Sequence, residues 1–262
     1  MKKMFAMLLA LMCCMSAFAV LAEDYSTYTT EELLAMSAAI NAELEVRRVA
    51  ARVSSPVEDF GWASDGAQVQ INEYVGPGGD VVIPDEIDGL PVTKIGAKAF
   101  YNNQTLASVT LPSGLKEVGD QAFFLAKGLT GVLYLPASVE VLGTNAFTNT
   151  SYTGLVINSG YRQSGSDPFT MPELTFVYIR EGVSPDIGMW AFQHCSKLEM
   201  MIIPASVTSF NQFALRDLAK LKIITPAGSA AEAFAMERFI PVETESYEQV
   251  AAQYNALYPM PE

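Results

Sequence analysis

The chain has 262 residues, of which 50% are hydrophobic and 17% are charged, and its formal net charge is −13. This is enough apolar sequence for one sizeable core, so the composition argues against a disordered chain. Because a strongly acidic surface repels phosphate groups, we expect no nucleic acid among its partners.

The first 22 residues have the order of a secretory signal peptide, in which charged, apolar and small residues follow one another. Two lysines precede an apolar stretch over residues 4–15. We expect cleavage after Ala22, with Ala19 as the alternative, which predicts a secreted or cell-surface protein. Since no later run approaches the roughly 20 apolar residues of a membrane span, we expect no membrane insertion after cleavage.

Residues 23–52 are predicted to be an N-terminal helical segment. Thr29 and Glu32 have the spacing of a helix capping box. The apolar residues that follow recur on one helical face, at Leu33, Met36, Ile40 and Leu44. We therefore predict a helix over about residues 30–50.

A repeat dominates the middle of the chain. An isoleucine or leucine precedes a proline, and an Ala-Phe pair follows at a similar distance. The last residues of these pairs, or of their degenerate counterparts Pro168-Phe169 and Ala214-Leu215, lie 23, 24, 22, 23 and 23 residues apart, at Phe100, Phe123, Phe147, Phe169, Phe192 and Leu215. A unit of this size cannot bury its own apolar side, so it gains stability by stacking on its neighbours. The spacing predicts a solenoid over residues 53–242.

Each unit carries the signals of a short strand and a turn. Stretches such as Val109–Leu111 alternate with period two, so we predict short strands that stack as a parallel ladder. The Ala-Phe pair is predicted to lie on a tight helical turn, with the phenylalanine in the core. A glycine or asparagine four residues earlier is predicted to adopt positive φ, at Gly96, Gly119, Gly143, Gly165, Gly188 and Asn211.

These units resemble the BspA-like leucine-rich repeat family, whose unit reads roughly I-P-x-x-V-x-x-I-G-x-x-A-F-x-x-C-x-x-L-x-x-V. The unit from Ile187 to Leu198 is similar to it throughout, with Cys195 at the cysteine position. The resemblance runs from near residue 60 to residue 242, where it includes a closing helix and strand. It implies a leucine-rich-repeat solenoid and a bacterial secreted or surface protein implicated in adhesion.

Some units depart from the pattern. The family residues are replaced at Asn158, Ser164, Pro168 and Arg180. We therefore expect irregular coils between about residues 155 and 185.

Residues 243–262 are predicted to be a C-terminal helical tail. Ser246 and Gln249 repeat the capping-box spacing, and an apolar stripe follows that Pro259 stops. Either flanking helix can cover an end or a side of the solenoid, and we favour this covering role over docking to a partner.

No catalytic motif is present, so we expect no enzyme, no cofactor and no metal site. His194 and Cys195 are adjacent in sequence, and neighbouring side chains diverge too much to form a dyad. We expect Cys195 to be a small core residue. Asp85, Glu86 and Asp88 are interpreted as a solvated acidic turn.

The candidate binding surface is the outward side of the predicted strand ladder. Alternation along the strands turns an apolar row away from the core. The binding candidates are Tyr134, Val156, Tyr178, Phe176, Ile202 and Val132. Two interpretations stay open, because the row can be a contact surface or can be covered by the helix predicted near residues 30–50.

The sequence predicts a non-catalytic binding module that recognises an extracellular protein or glycan through this strand face. The alternative is a structural or self-assembling surface subunit. A glycan hydrolase that uses paired carboxylates is a third and weaker hypothesis.

Overall fold

The structure of the protein is a computed structural model that describes residues 54–259. The predicted signal peptide at residues 1–22 and the helix predicted near residues 30–50 lie outside the described residues. Within 54–259, none of the helices is long and apolar enough to cross a membrane.

Short strands account for most of the regular structure. In chain order they are β1 (Phe60–Ser64), β2 (Val69–Tyr74), β3 (Gly79–Val82), β4 (Glu86–Ile87), β5 (Leu90–Ile95), β6 (Leu106–Thr110), β7 (Glu117–Val118), β8 (Val132–Leu135), β9 (Val141–Leu142), β10 (Gly154–Ile157), β11 (Arg162–Gln163), β12 (Phe176–Ile179), β13 (Met200–Ile202), β14 (Lys222–Ile224) and β15 (Val242–Glu243). The described residues also form a 3-10 turn at Val57–Asp59 and two α-helices, α1 (Ala230–Glu237) and α2 (Tyr247–Leu257).

The strands stack as a β-solenoid of parallel ladders. After an antiparallel β1–β2 hairpin, the first ladder runs through β2, β5, β7, β9 and β11. The second ladder runs through β8, β10, β12, β13, β14 and β15, and β3 pairs with β6 separately. Within the described residues, no strand pairing joins β6 to β8. This gap lies beside the single 24-residue interval of the repeat, which runs from Phe123 to Phe147. The second ladder continues in register through residues 154–179. The first ladder ends at β11, so the irregularity expected between about residues 155 and 185 is seen in the first ladder and not in the second.

A column of stacked aromatic rings runs through the core. Ring centroids of successive repeats lie 4.7 Å apart for Phe100 and Phe123, and 5.1 Å apart for Phe123 and Phe147. The column continues to Phe169 and Phe192 at 6.1 and 5.5 Å. All five side chains are at most 1% exposed. The predicted position of these phenylalanines between the coils is therefore confirmed.

The segments around the Ala-Phe pairs are turns and not helices, which corrects the prediction of helical turns. Their backbone alternates between right-handed and left-handed conformations, with φ of 62° at Lys98 and 54° at Asn102. The amide of Phe100, between them, donates to the carbonyl of Ala122 in the next coil at 2.8 Å. The turns thus form hydrogen bonds between coils, where a helix would bond to itself.

The repeated glycines do not adopt positive φ, so that prediction is also wrong. In the five units that carry the glycine, the left-handed residue is two positions later, as at Gln121 and Asn145. The glycines are required because neighbouring coils approach too closely for a side chain. A Cβ at Gly119 would lie 2.7 Å from the amide nitrogen of Ala97, and one at Gly143 would lie 2.5 Å from that of Asp120.

The solenoid closes with α1 and β15, where the family resemblance implies a helix and a strand. The hydroxyl of Ser229 accepts a hydrogen bond from the amide of Glu232 at 3.1 Å and so caps α1. In α2 the predicted capping box does not form, because Ser246 makes no capping bond. Its hydroxyl donates to the carboxylate of Glu243 instead.

Candidate functional site

The outward side of the second ladder carries every residue that the sequence predicts for binding. In β10, Leu155 and Ile157 pack in the continuous core, so Val156 between them faces the opposite side of the ladder. The same alternation turns Tyr178 outward from β12. We call the outward side chains of β8, β10, β12, β13 and β14 the strand face.

The outward residues stand in line because neighbouring strands pair in parallel register. The central row of the strand face contains Tyr134, Val156, Tyr178, Ile202 and Ile224. A flanking row contains Val132, Gly154, Phe176, Met200 and Lys222. The structure therefore brings all six predicted binding residues together on one surface.

Much of the strand face is not open to solvent, so of the two interpretations left open, a contact surface or a covered row, the covered row applies to this part of the face. Val156, Tyr178 and Ile202 are each 0% exposed, although they lie outside the core of the solenoid. The helix observed against them is α2, at the C-terminal end of the described residues. Since burial removes these side chains from water, the covered row stabilises the docked helix.

Aromatic side chains make most of the contact between α2 and the strand face. The Tyr254 ring lies 5.4 Å from Phe176 and 5.5 Å from Tyr178, measured between centroids. Tyr258, directly after the helix, stacks on Phe176 at 5.5 Å and meets Tyr134 edge-on at 6.0 Å. Phe176 and Tyr134 remain half-buried, as does Val132 at the edge of the face.

A group of hydrogen bonds fixes the position of the helix along the face. The side-chain oxygen of Asn255 accepts from the Tyr178 hydroxyl at 2.7 Å and from the Arg180 guanidinium at 2.8 Å. Arg180 also donates to the backbone carbonyl of Tyr258. Its Nε donates to Asn158 at 2.7 Å, which ties the guanidinium to the neighbouring coil. We call Asn158, Tyr178, Arg180 and Asn255 the polar clamp.

A second polar contact holds the start of α2. The Tyr247 hydroxyl donates to the carboxylate of Glu181, next to the clamp. Burial and this carboxylate raise the pKa of Tyr247, and burial alone raises that of Tyr254. For Tyr178 burial also raises the pKa, while the nearby Arg180 opposes the shift. The tyrosines at this contact therefore stay neutral at physiological pH.

Sequence reasoning missed the clamp, although a signal for it was present. Asn158 and Arg180 occupy the position that holds proline in other repeats, such as Pro136 and Pro204. Proline offers no side-chain hydrogen bond, whereas asparagine and arginine offer several. Two successive departures from an apolar consensus therefore mark the coils to which α2 is anchored.

The strand side remains open where the ladder begins. The side chains of Asp80 and Thr110 are exposed, and the Ser108 hydroxyl donates to Asp80 at 2.6 Å. Val82 pairs with Thr110 in register and is half-buried. We call these four outward residues, with Val132 and Tyr134 on the next coil, the open section. It combines hydrogen-bonding groups with apolar surface.

The other residues that the sequence singles out for chemistry differ in their burial and their contacts. Cys195 is buried, its thiol donates to the carbonyl of Phe169 at 3.0 Å, and burial raises its pKa to about 12. The adjacent His194 is exposed. In the acidic turn, Asp85 accepts hydrogen bonds from the amide and hydroxyl of Ser113. Within the described part of the chain, no three His, Cys, Asp or Glu residues cluster as metal ligands.

Comparison with protein families identifies the repeat. The family described as BspA type leucine rich repeat region matches residues 93–222 with six copies. No curated protein matches the chain significantly.

Several solved structures of bacterial repeat proteins are similar to this chain. A leucine rich repeat protein of T. pallidum is 27% identical over 65% of this chain and 71% of its own, with a TM-score of 0.46. A leucine rich cell surface protein from Faecalibacterium prausnitzii is 22% identical over 68% and 46%, with a TM-score of 0.47. The pneumococcal vaccine antigen PcpA is 14% identical over 73% and 49%, with a TM-score of 0.53. The chain thus spans about half the length of the last two proteins, and the likeness to the pneumococcal antigen supports the solenoid fold alone.

Proposed function

We propose, from the premise that this chain belongs through residues 93–222 to the BspA-type leucine-rich repeats, that it is a non-catalytic binding module. It acts outside the cell or at the cell surface and recognises a protein or glycan. A stacked array of strands suits this role because it presents a long, rigid surface. The neighbouring structures include a protein that is described as a cell surface protein.

The open section is the part of the predicted surface that supports this proposal. Asp80, Ser108 and Thr110 offer a carboxylate and two hydroxyls in register on adjacent strands. Tyr134 adds an aromatic ring on the next coil, half-buried and packed on Tyr258. Such a mixture of fixed polar groups and an anchored aromatic is typical of recognition surfaces. The ligand therefore contacts the section that α2 leaves exposed.

A single substitution tests this section without disturbing α2. Thr110→Arg places a long cation where the surface is flat and open, so we expect at least about tenfold weaker binding, or roughly 1.4 kcal/mol. The measurement is binding of the labelled protein to arrays of extracellular-matrix proteins and of bacterial and host glycans.

Thr208→Arg is the matched control, because Thr208 is also exposed but lies after β13, outside the strands. It should bind as the unsubstituted protein does. Equal binding by both variants to every captured ligand would remove the open section from the proposal.

A further inference from the structure

The helix α2 packs on the strand face in the way that a bound ligand would. Tyr254 and Tyr258, one turn apart, place their rings against Phe176. Asn255 between them accepts hydrogen bonds from Tyr178 and Arg180. Ala251 lies one turn before Asn255 and is 5% exposed, so the small side chain lets the helix approach the strands closely. The contact therefore specifies both the chemistry and the position of a helix.

The core of the solenoid is complete without α2. The continuous core of the described residues runs from Phe60 to Ala235 and includes no residue of α2. The last ladder strand, β15, ends at Glu243, before the helix begins at Tyr247. Removing the helix from the face would uncover the central row while leaving the stack of Phe rings intact.

One polar group at the contact between α2 and the strand face is buried without a hydrogen bond to the described part of the chain. The Tyr254 hydroxyl is buried and has no hydrogen-bond partner among the described residues. A buried polar group without a partner weakens an association, because its hydration is lost without replacement. Docking of α2 therefore costs the hydration free energy of this hydroxyl, which the undocked helix keeps.

We propose that the strand face is a helix-binding site, that α2 occupies it as a removable intramolecular ligand, and that its external partner is an amphipathic helix with the same pattern. That pattern is two tyrosines one turn apart, an amide next to the first, and a small residue one turn before the amide. The helix α2 then controls access to the face. The inference depends on the geometry of α2 and is independent of any ligand at the open section.

Tethering sets the size of the expected effect. A segment joined by a short linker has an effective concentration in the millimolar range at its own site. If α2 and a separate helix each bind the strand face with a dissociation constant below about 100 μM, the tethered α2 must weaken the apparent affinity of the separate helix at least about tenfold.

The test uses the full chain and a labelled synthetic peptide of residues 244–259 as the probe. In the double variant Tyr254→Ala/Asn255→Ala, α2 loses the ring contacts of Tyr254 and both hydrogen bonds of Asn255. We expect this variant to bind the peptide at least about tenfold more tightly than the unsubstituted chain does. A peptide carrying the same two substitutions should bind neither protein.

The matched control is Glu248→Ala/Gln249→Ala, two exposed positions on the same helix. It should behave as the unsubstituted chain. Equal peptide affinity for all three proteins, or no binding by the double variant, overturns the proposal. So does loss of the cooperative unfolding transition in the double variant, because a removable helix must leave the solenoid folded.

Discussion

At the scale of single residues, five of the six repeats place a glycine where two coils approach each other closely. A Cβ at Gly143 would collide with the backbone of the preceding coil. The residue that adopts the left-handed conformation is Asn145, two positions later. The conformational freedom of glycine is therefore not what these sites use. Close approach of backbone to backbone is the constraint, and any side chain would separate the coils.

Gly143→Ala should destabilise the fold by about 1–3 kcal/mol, since the added methyl meets the amide nitrogen of Asp120 at 2.5 Å. Gly114→Ala is the control, because a Cβ there meets nothing within 4 Å. That variant should be neutral or more stable by up to about 1 kcal/mol. Urea unfolding of both proteins measures the difference, and equal stability would contradict the role assigned to close approach.

At the scale of elements, α2 is held on the strand face by polar contacts as well as by stacked rings. The polar clamp joins residues from two coils and from α2. Within it, the side chains form hydrogen bonds with one another at a partly buried contact. Tyrosines supply much of the apolar area and also carry titratable hydroxyls. The attachment of α2 should therefore respond to pH, while the stacked strands depend on apolar packing.

Alkaline pH should release α2. Burial raises the pKa of Tyr254 and Tyr258 above the ordinary value of 10.0 in the docked state. Their contribution to docking is complete below pH 10 and is lost as the pH rises further, because the undocked helix ionises first. Limited proteolysis within residues 247–257, followed as a function of pH, measures the release.

Tyr254→Phe should move this release to higher pH, since it removes an ionisable hydroxyl that has no hydrogen-bond partner among the described residues. Tyr101→Phe is the control, because Tyr101 is 43% exposed and distant in sequence from the helix. A release profile that Tyr254→Phe leaves unchanged would show that this tyrosine does not link docking to pH.

At the scale of the whole molecule, the ring column couples each coil to its two neighbours. Stability in such an array is close to a sum of repeat and interface terms, so a central defect weakens two interfaces at once. Phe147 is central, with stacked rings on both sides at 5.1 and 6.1 Å.

Phe147→Ala should cost about 3–5 kcal/mol, because it leaves a cavity between two coils. Phe239→Ala should change stability by less than about 0.5 kcal/mol, since Phe239 is 94% exposed. Thermal unfolding compares the two variants. Similar midpoints would show that the column contributes little to the fold.

The sequence alone determined the architecture and the alignment of the strand face. A fixed interval of about 23 residues requires equivalent residues to stack, and strand alternation then sets which side chains face outward. For that reason the Phe column and the row from Tyr134 through Tyr178 to Ile202 follow from spacing. The chemistry of the clamp was visible only as two departures from proline.

Only the tertiary structure decided what lies on that face and why the glycines are needed. The contact between Tyr178 and Asn255 joins residues 77 positions apart, and no local pattern encodes such a distance. Periodicity describes what each residue shares with its neighbours in sequence. The position of a docked helix and the distance between two backbones depend on how the whole chain folds in space.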